Sequence, residues 1–254
     1  MLSLQGVKAQ AASRRFDVAE LILKKLSGVV RDGDVLVVSS KFLAISEGRV
    51  LRLDSVRVSE EGRRLSERYR MDEKLCELVL RESDSVLGGV PGFLLASRDG
   101  LLTPNAGIDK SNIMHGMVVL YPRRPEVLAR RIRQSLRFFA GVRVGVVVCD
   151  SRLSPTRRGT TGVALAASGL EAIVDLRGKS DLFGNVLKVT AQGIADDLSS
   201  AAELLMGESD EAVPMVLVRG LTTDLVRGAE YSPRRFSVSA DECVYMRSFE
   251  SRER

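Results

Sequence analysis

Side chains able to hold cations and phosphates collect at four places in this sequence: Ser39-Ser40-Lys41, Asn105 to Asn112, Asp150-Ser151 and Glu208. The densest begins with Gly145-Val-Val-Val-Cys149, an apolar, β-branched run that reads as a buried strand. That strand delivers Asp150 into what reads as a loop carrying Ser151, Arg157, Arg158 and several hydroxyls. Pro155, Gly159 and Gly162 predict irregular backbone there, open to close approach by a ligand. Carboxylates and hydroxyls suit a hard divalent cation, and guanidinium and N–H donors suit phosphate. The alternative is a strand-end Asp capping a turn beside a solvated basic loop.

The other clusters carry the same pair of readings. Asn105, Asp109, Ser111 and Asn112 supply a carboxylate and neutral oxygens for a cation or a nucleotide phosphate, or else build turns. Ser39-Ser40-Lys41 is a ligand contact or an ordinary exit from a strand. His115, the single histidine, has no partner of its kind and receives no role. There is no P-loop, no dinucleotide-binding glycine fingerprint and no Ser-His-acid set.

The elements that must position these groups follow from local pattern. Asp17 predicts an N-cap, with Glu20 completing a capping box, Phe16 stapling to Leu21, and Gly28 ending the helix. A strand over 34–38 leads to Ser39. A charged helical stretch runs from Ser59 to Arg81. Gly88-Gly89 and Pro91-Gly92 break the chain, and Asp99-Gly100 predicts a hairpin pairing 93–97 with 101–103. Met117 to Tyr121 reads as a strand. Pro125 then opens a basic amphipathic helix with Leu128, Ile132, Leu136 and Phe139 in register. Its arginines fit a solvated face better than a nucleic-acid surface. A strand over 172–175, a charged turn region over 175–184, a helix from Thr190 to Met206 and a strand over 214–218 complete the pattern. That last helix should bury Ile194, Leu198, Ala201, Leu204 and Leu205. The polar tail, 228–254, has no clear pattern.

Composition sets the bounds. With 254 residues and 44% apolar, the chain has ample core for a globular fold, taken here as a single domain over 1–254. Three separated cysteines indicate neither a zinc site nor a disulfide framework and fit a reducing cytoplasm. Nothing resembles a signal peptide, and no apolar run is long enough to span a bilayer. Net charge is +5 with the two signs well mixed. The absence of Trp argues against base-stacking platforms, so nucleic acid is not expected among the partners.

The clusters, in their order and spacing, resemble the coenzyme F420-0:L-glutamate ligases, the γ-glutamyl ligases of deazaflavin biosynthesis. The residues that carry the resemblance are Ser46-Glu47-Gly48-Arg49, Asn105 to Asn112, and Asp150-Ser151 with Pro155, Arg157 and Gly159. They continue through Asp175 to Gly184, Ala195 to Leu198, Ala202 to Gly207, Pro214 and Arg219-Gly220. The likeness covers nearly the whole chain to about Leu221 and is strongest over 34–221. It implies an α+β fold with mixed and antiparallel sheets, flanking helices and no classical nucleotide-binding motif, assembled as a homodimer. It also implies a GTP-dependent, GDP-forming ligase that adds L-glutamate to F420-0 with two Mg²⁺ or Mn²⁺ ions, K⁺ being a further candidate ion.

By the family pattern Asp109 and Asp150 would be the catalytic acids holding one metal, and Ser151 with Glu208 the other. Ser39, Ser40, Lys41, Asn112, Met206, Gly207 and Glu208 would meet the nucleotide. The chain also departs from the pattern. Arg152 to Thr156 stand where the family commonly has Phe-Gly-Arg-Pro-Trp, Asp99 where it commonly has His, and Ile45 where it has Lys. Two alternatives remain at this stage: a related GTP- and metal-dependent ligase with another carboxylate acceptor, and a non-catalytic anion- or nucleic-acid-binding module.

Overall fold

The structure, a computed structural model, describes residues 1–10, 14–222, 225–226 and 228–250. Along the chain run β1 (Ser3–Val7), α1 (Val18–Leu26), β2 (Val35–Ser39), α2 (Ser40–Ser46), β3 (Val50–Arg52), α3 (Glu60–Tyr69) and α4 (Glu73–Glu82). Next come β4 (Ser85–Val90), β5 (Phe93–Arg98), β6 (Leu101–Pro104), β7 (Met117–Val119), α5 (Pro125–Phe139), β8 (Gly145–Leu153) and β9 (Thr160–Ser168). The chain ends with β10 (Val174–Asp175), β11 (Ala191–Gln192), α6 (Ile194–Met206), β12 (Met215–Arg219), β13 (Glu230–Tyr231), α7 (Pro233–Phe236) and α8 (Val244–Glu250). This is an α+β fold of mixed and antiparallel sheets. Two compact units form: Met1–Arg49 with Pro122–Tyr231, and Val50–Tyr121 with Ser232–Arg254. Among the described residues no helix is long and apolar enough to cross a membrane.

The first unit is built on a six-stranded sheet in the order β1-β12-β2-β8-β9-β13. Only β2 and β8 are parallel neighbours, with Ser39 opposite Cys149; the other pairs are antiparallel. Residues 35–38 and 145–149 are buried at every position, as expected where helices cover both faces of a sheet. Those runs are Val-rich because both faces must be apolar. At the far end of β2 from Ser39, the Arg219 guanidinium grips the buried Asp34 carboxylate at 2.7 and 2.8 Å.

Short-range signals fold as predicted. Asp17 Oδ1 accepts the N–H groups of Ala19 and Glu20, which have no partner inside the helix. Phe16 also packs on Phe42, ring centroids 5.0 Å apart. On α5, Leu128, Ala129, Ile132 and Leu136 are buried, and Arg131 and Arg133 pair with Asp17 and Glu230. The arginine run thus serves the unit's own acids. Phe139 departs from the predicted stripe: it is exposed beyond the last buried turn. Helix α6 starts at Ile194 rather than Thr190, because Ala191-Gln192 pairs with Val174-Asp175 instead. Its buried face is Ile194, Ala195, Leu198, Ser199, Ala202 and Met206, and Leu204 points to solvent.

The second unit packs α3 and α4 on the three-stranded sheet β4-β5-β6, around Leu65, Leu75, Val79, Leu94, Ala96 and Val118. The helical stretch expected over 59–81 is two helices, because Arg70 adopts φ 51° and ψ 50° and stops the first, and Asp72 caps the second. The Asp99-Gly100 hairpin forms with positive φ at both residues, the geometry such a pair favours. Gly88-Gly89 does not break the chain. It lies inside β4, and a register shift between Val86 and Gly88 absorbs one residue as a bulge.

Candidate active site

The parallel pairing of β2 with β8 decides what meets what. Two parallel strands end on the same side of a sheet, so Ser39-Ser40 and Asp150-Ser151 arrive together although 110 residues separate them. The Ser40 hydroxyl donates to Asp150 Oδ1 at 2.8 Å. Ser39 N–H is held by the Pro214 carbonyl at 2.9 Å. The chain passes from β2 straight into α2, so Ser40-Lys41 begin a helix and Ser39-Ser40-Lys41 is not a strand-to-turn exit.

The loop predicted from Asp150 onward is instead a continuation of the strand. Asp150 pairs with Val163, Ser151 with Gly162 and Leu153 with Thr160, so the true turn is confined to the residues between. Asp150 is therefore not a turn cap. Its backbone is fixed on the β8–β9 ladder. The ladder shifts register between Val148 and Cys149, a bulge immediately before the acid that re-aims the side chains that follow.

Helix α6 brings the third component. Its last turn seats Met206 Sδ 3.7 Å from Cys149 Sγ, which sets the helix end beside the end of β8. Gly207 then takes φ 67°, where an added Cβ would lie 2.1 Å from the Glu211 carboxyl carbon. That glycine lets the chain turn tightly enough to present Glu208, whose Oε1 accepts the Thr160 hydroxyl at 2.5 Å. Ser39, Ser40, Asp150, Ser151, Met206, Gly207 and Glu208 thus gather at one end of the six-stranded sheet.

One acid was not singled out from sequence. Glu203 sits on α6, and burial first, then the charges of Glu208 and Asp150, push its pKa from 4.5 up to about 7. Its only trace in the sequence is membership of the Ala202 to Gly207 motif. Burial first, then the charges of Glu203 and Asp150, drives the Cys149 thiol well up, which leaves it an inert packing group.

The raised Glu203 pKa makes a stability prediction. A carboxyl whose folded pKa lies above its unfolded value adds stability at low pH, and this is lost as pH rises between about 4.5 and about 7. Glu203→Gln should remove that dependence. Above pH 7 the variant should be more stable than the parent by about 1–2 kcal/mol, after discounting for partial solvent screening. Thermal midpoints measured from about pH 4 to about pH 8 check it. Parallel curves for the two proteins would refute the coupling.

In the second unit, Asn105, Ala106 and Asn112 all have φ near +50°. Gly107, at φ 71°, passes under Tyr121 so closely that a Cβ would meet the ring at 2.5 Å. Asn105 Oδ1 accepts Leu94 N–H at 2.9 Å, so Asn105 serves the turn. Asp109 exchanges both backbone bonds with Val119, and its carboxylate takes the Ser111 N–H at 2.7 Å and hydroxyl at 3.1 Å. Asn112 is exposed.

The departures from the family pattern have structural counterparts. Ile45 is buried in α2, and Asp99 opens the tight β5–β6 turn. Arg152 is buried in β8, and its charge acts on Asp196, which accepts Ala164 N–H at 2.8 Å. The Ala164–Asp196 bond ties the hairpin to the first turn of α6.

Among the described residues no three His, Cys, Asp or Glu side chains stand close enough to hold a metal by themselves. The donor set at the sheet end, Ser40, Asp150, Ser151 and Glu208, is nonetheless all oxygen, and the charges of Glu208 and Asp150 add to burial in raising the Glu203 pKa. It fits a hard cation of the kind held by one or two carboxylates together with substrate phosphate oxygens.

Residues 6–220 match the family described as F420-0:Gamma-glutamyl ligase. A curated relative from Methanopyrus kandleri, named coenzyme F420:L-glutamate ligase, is 40% identical over 212 residues, which are 83% of this chain and 83% of the relative. Proteins of the same name from Archaeoglobus fulgidus and Methanocaldococcus jannaschii are 38% and 35% identical, covering 81% and 78% of this chain and 82% and 80% of their own lengths. With matches of this extent, the chain belongs to the F420-0:gamma-glutamyl ligase family.

Proposed function

We propose that this enzyme joins the amine of L-glutamate to the carboxylate of coenzyme F420-0, or of a closely similar acceptor, at the expense of GTP. A carboxylate is a poor electrophile. It must first displace GDP from the γ-phosphate, forming an acyl phosphate. The glutamate amine then attacks the acyl carbon, phosphate leaves, and the amine nitrogen gives up a proton. The observation that carries the reading is the convergence of Ser40, Asp150, Glu203 and Glu208, from three elements, at the ends of two parallel strands.

Asp150, Ser151 and Glu208 are the proposed holders of divalent cations, and the resemblance adds Asp109. When bound, Mg²⁺ or Mn²⁺ would neutralise charge on the γ-phosphate and align it for transfer. The chain's own contribution is positional. Ser40 fixes one Asp150 oxygen, Thr160 fixes one Glu208 oxygen, and the Gly207 turn holds that acid at the helix end. Ser39, Lys41, Asn112 and the Met206-Gly207-Glu208 turn are proposed to meet the nucleotide. A homodimer is proposed as the working form.

The test is incubation with GTP, Mn²⁺, L-glutamate and F420-0, read by mass spectrometry. GDP and a γ-glutamyl product are expected in equal amounts. Failure to form GDP with any divalent ion would overturn the reaction class. GDP formed only with a different carboxylate acceptor would transfer the proposal to that acceptor.

A further inference from the structure

The β8–β9 hairpin carries Asp150 and Ser151 on one strand and Thr160 on the other, and its turn carries two arginines that the proposed site does not use. The ladder closes at Leu153 and Thr160, so residues 154–159 form the turn. Arg157 N–H donates to the Ser154 carbonyl at 3.2 Å, and Thr156 and Gly159 take φ 61° and 86°. A positive φ is costly for a β-branched residue, and folded chains keep such strain mostly at ligand clamps and active sites. Arg157 and Arg158 are both exposed.

Charge in this stretch is one-sided. Residues 151–170 hold three arginines and no acid, in a chain with 38 basic and 33 acidic side chains. Elsewhere in the unit several arginines serve the chain's own acids: Arg131 pairs with Asp17, Arg177 with Asp175 and Arg219 with Asp34. Arg157 and Arg158 make no ion pair among the described residues. Glu208, which reaches the base of the turn, takes the Thr160 hydroxyl rather than a guanidinium. The hairpin therefore joins two complementary parts, oxygen donors suited to a cation and guanidinium forks suited to an oxyanion.

We propose that Arg157 and Arg158 bind an oxyanion, phosphate or carboxylate, at the outer end of the acceptor whose reacting carboxylate sits at Asp150; this rests on the ligase reading above and gives its acceptor a second contact. Asp150 to Leu153 spans about 10 Å of strand at about 3.3 Å per residue, and the turn lies beyond it. That length selects among the substrates. L-Glutamate is too short to span it from its reacting amine. The phosphates of GTP next to the transferred group are those that divalent cations neutralise, and its far end is an uncharged base. The acceptor is left as the substrate long enough to place a further anion at the turn.

Equilibrium binding by calorimetry, together with steady-state kinetics, tests this on the parent, Arg157→Gln, Arg158→Gln, the double variant and Arg137→Gln. The separate probes are F420-0, L-glutamate, GTP with Mn²⁺, and inorganic tripolyphosphate, which reports oxyanion binding without turnover. Both turn arginines are exposed and glutamine keeps the backbone N–H at 157, so the fold is retained, which thermal midpoints verify. The dissociation constant and KM for F420-0 should rise about 10-fold in each single variant and about 100-fold in the double variant. The kcat should barely change, because the contact holds ground state and transition state alike. Arg137→Gln removes an equal charge from the exposed side of α5 and should leave every constant as it was. An equal rise in that variant would overturn the proposal as a general effect of charge. A rise confined to L-glutamate, or to GTP and tripolyphosphate, would overturn the acceptor as the source of the oxyanion. Binding of all four probes that is absent in the parent, or unchanged in the double variant, would overturn the subsite itself. A parent that makes no amide product, while the double variant loses F420-0 binding, would count against the proposed reaction and leave the subsite standing.

Discussion

Asp150→Asn is expected to lose catalytic turnover by a factor of about 10³ or more, equivalent to about 4 kcal/mol of transition-state stabilisation. The folded protein should be nearly as stable as its parent. A neutral amide is a weaker ligand for a divalent ion and cannot balance the charge that builds on the transferring phosphoryl group. On the stability side two effects oppose. Replacing the carboxylate weakens the hydrogen bond from Ser40, a loss of about 1 kcal/mol. The same change removes a negative charge whose repulsion helps to raise the Glu203 pKa, and that offsets part of the loss. GDP release and thermal midpoint, measured on one preparation, separate the possibilities. A variant that melts many degrees lower yet turns over normally would make Asp150 a structural residue and remove the centre of the proposed site.

What could be read from the sequence divides by distance along the chain. Features decided within a few residues are recoverable: the Asp17 cap, the Asp99-Gly100 hairpin, the buried Val-rich strands and the start of α5 at Pro125. Features decided by a remote partner are not. Asp150 and Ser151 have polar side chains followed by Pro155 and Gly159, and so read as loop. They are strand because β9 supplies a ladder that local pattern does not reveal. β4 hides behind Gly88-Gly89 because its pairing with β5 tolerates a bulge.

The site divides in the same way. Its acids could be named individually, and the resemblance supplied their order. Glu203 could not be ranked among them, because its shifted pKa arises from burial and then from the charges of Glu208 and Asp150, all of which act only once α6 is docked. Likewise Leu204 looked like core and is solvent-exposed, since a one-residue error in helix phase turns a side chain by about 100°.

The docking of α6 rests on a single absent side chain, and adding it back should be severe. Gly162 in β9 faces the second turn of the helix. A Cβ built there would lie 2.3 Å from the Ser199 carbonyl oxygen, 2.5 Å from its carbon and 2.8 Å from Ser200 N. All three atoms are helix backbone, so no side chain can swing aside. Around this contact Ser200 Oγ donates to the Gly162 carbonyl at 2.8 Å and lies 3.1 Å from Thr161 Oγ1. Gly162→Ala must therefore push α6 outward and stretch both bonds. Overpacking and bond loss together should cost about 2–4 kcal/mol, lowering the thermal midpoint by roughly 6–12 °C for a chain of this size. Activity should fall further than stability alone explains, because the displaced helix carries Glu203, Met206 and Glu208. A shift of about 1 Å in positioning groups can remove about two orders of magnitude in rate. Ser200→Ala is the control. It deletes the hydrogen bonds without adding bulk, and should cost about 1 kcal/mol and leave most of the turnover. Should Gly162→Ala melt with its parent, the close approach of β9 and α6 would not be what positions the acids at the end of that helix.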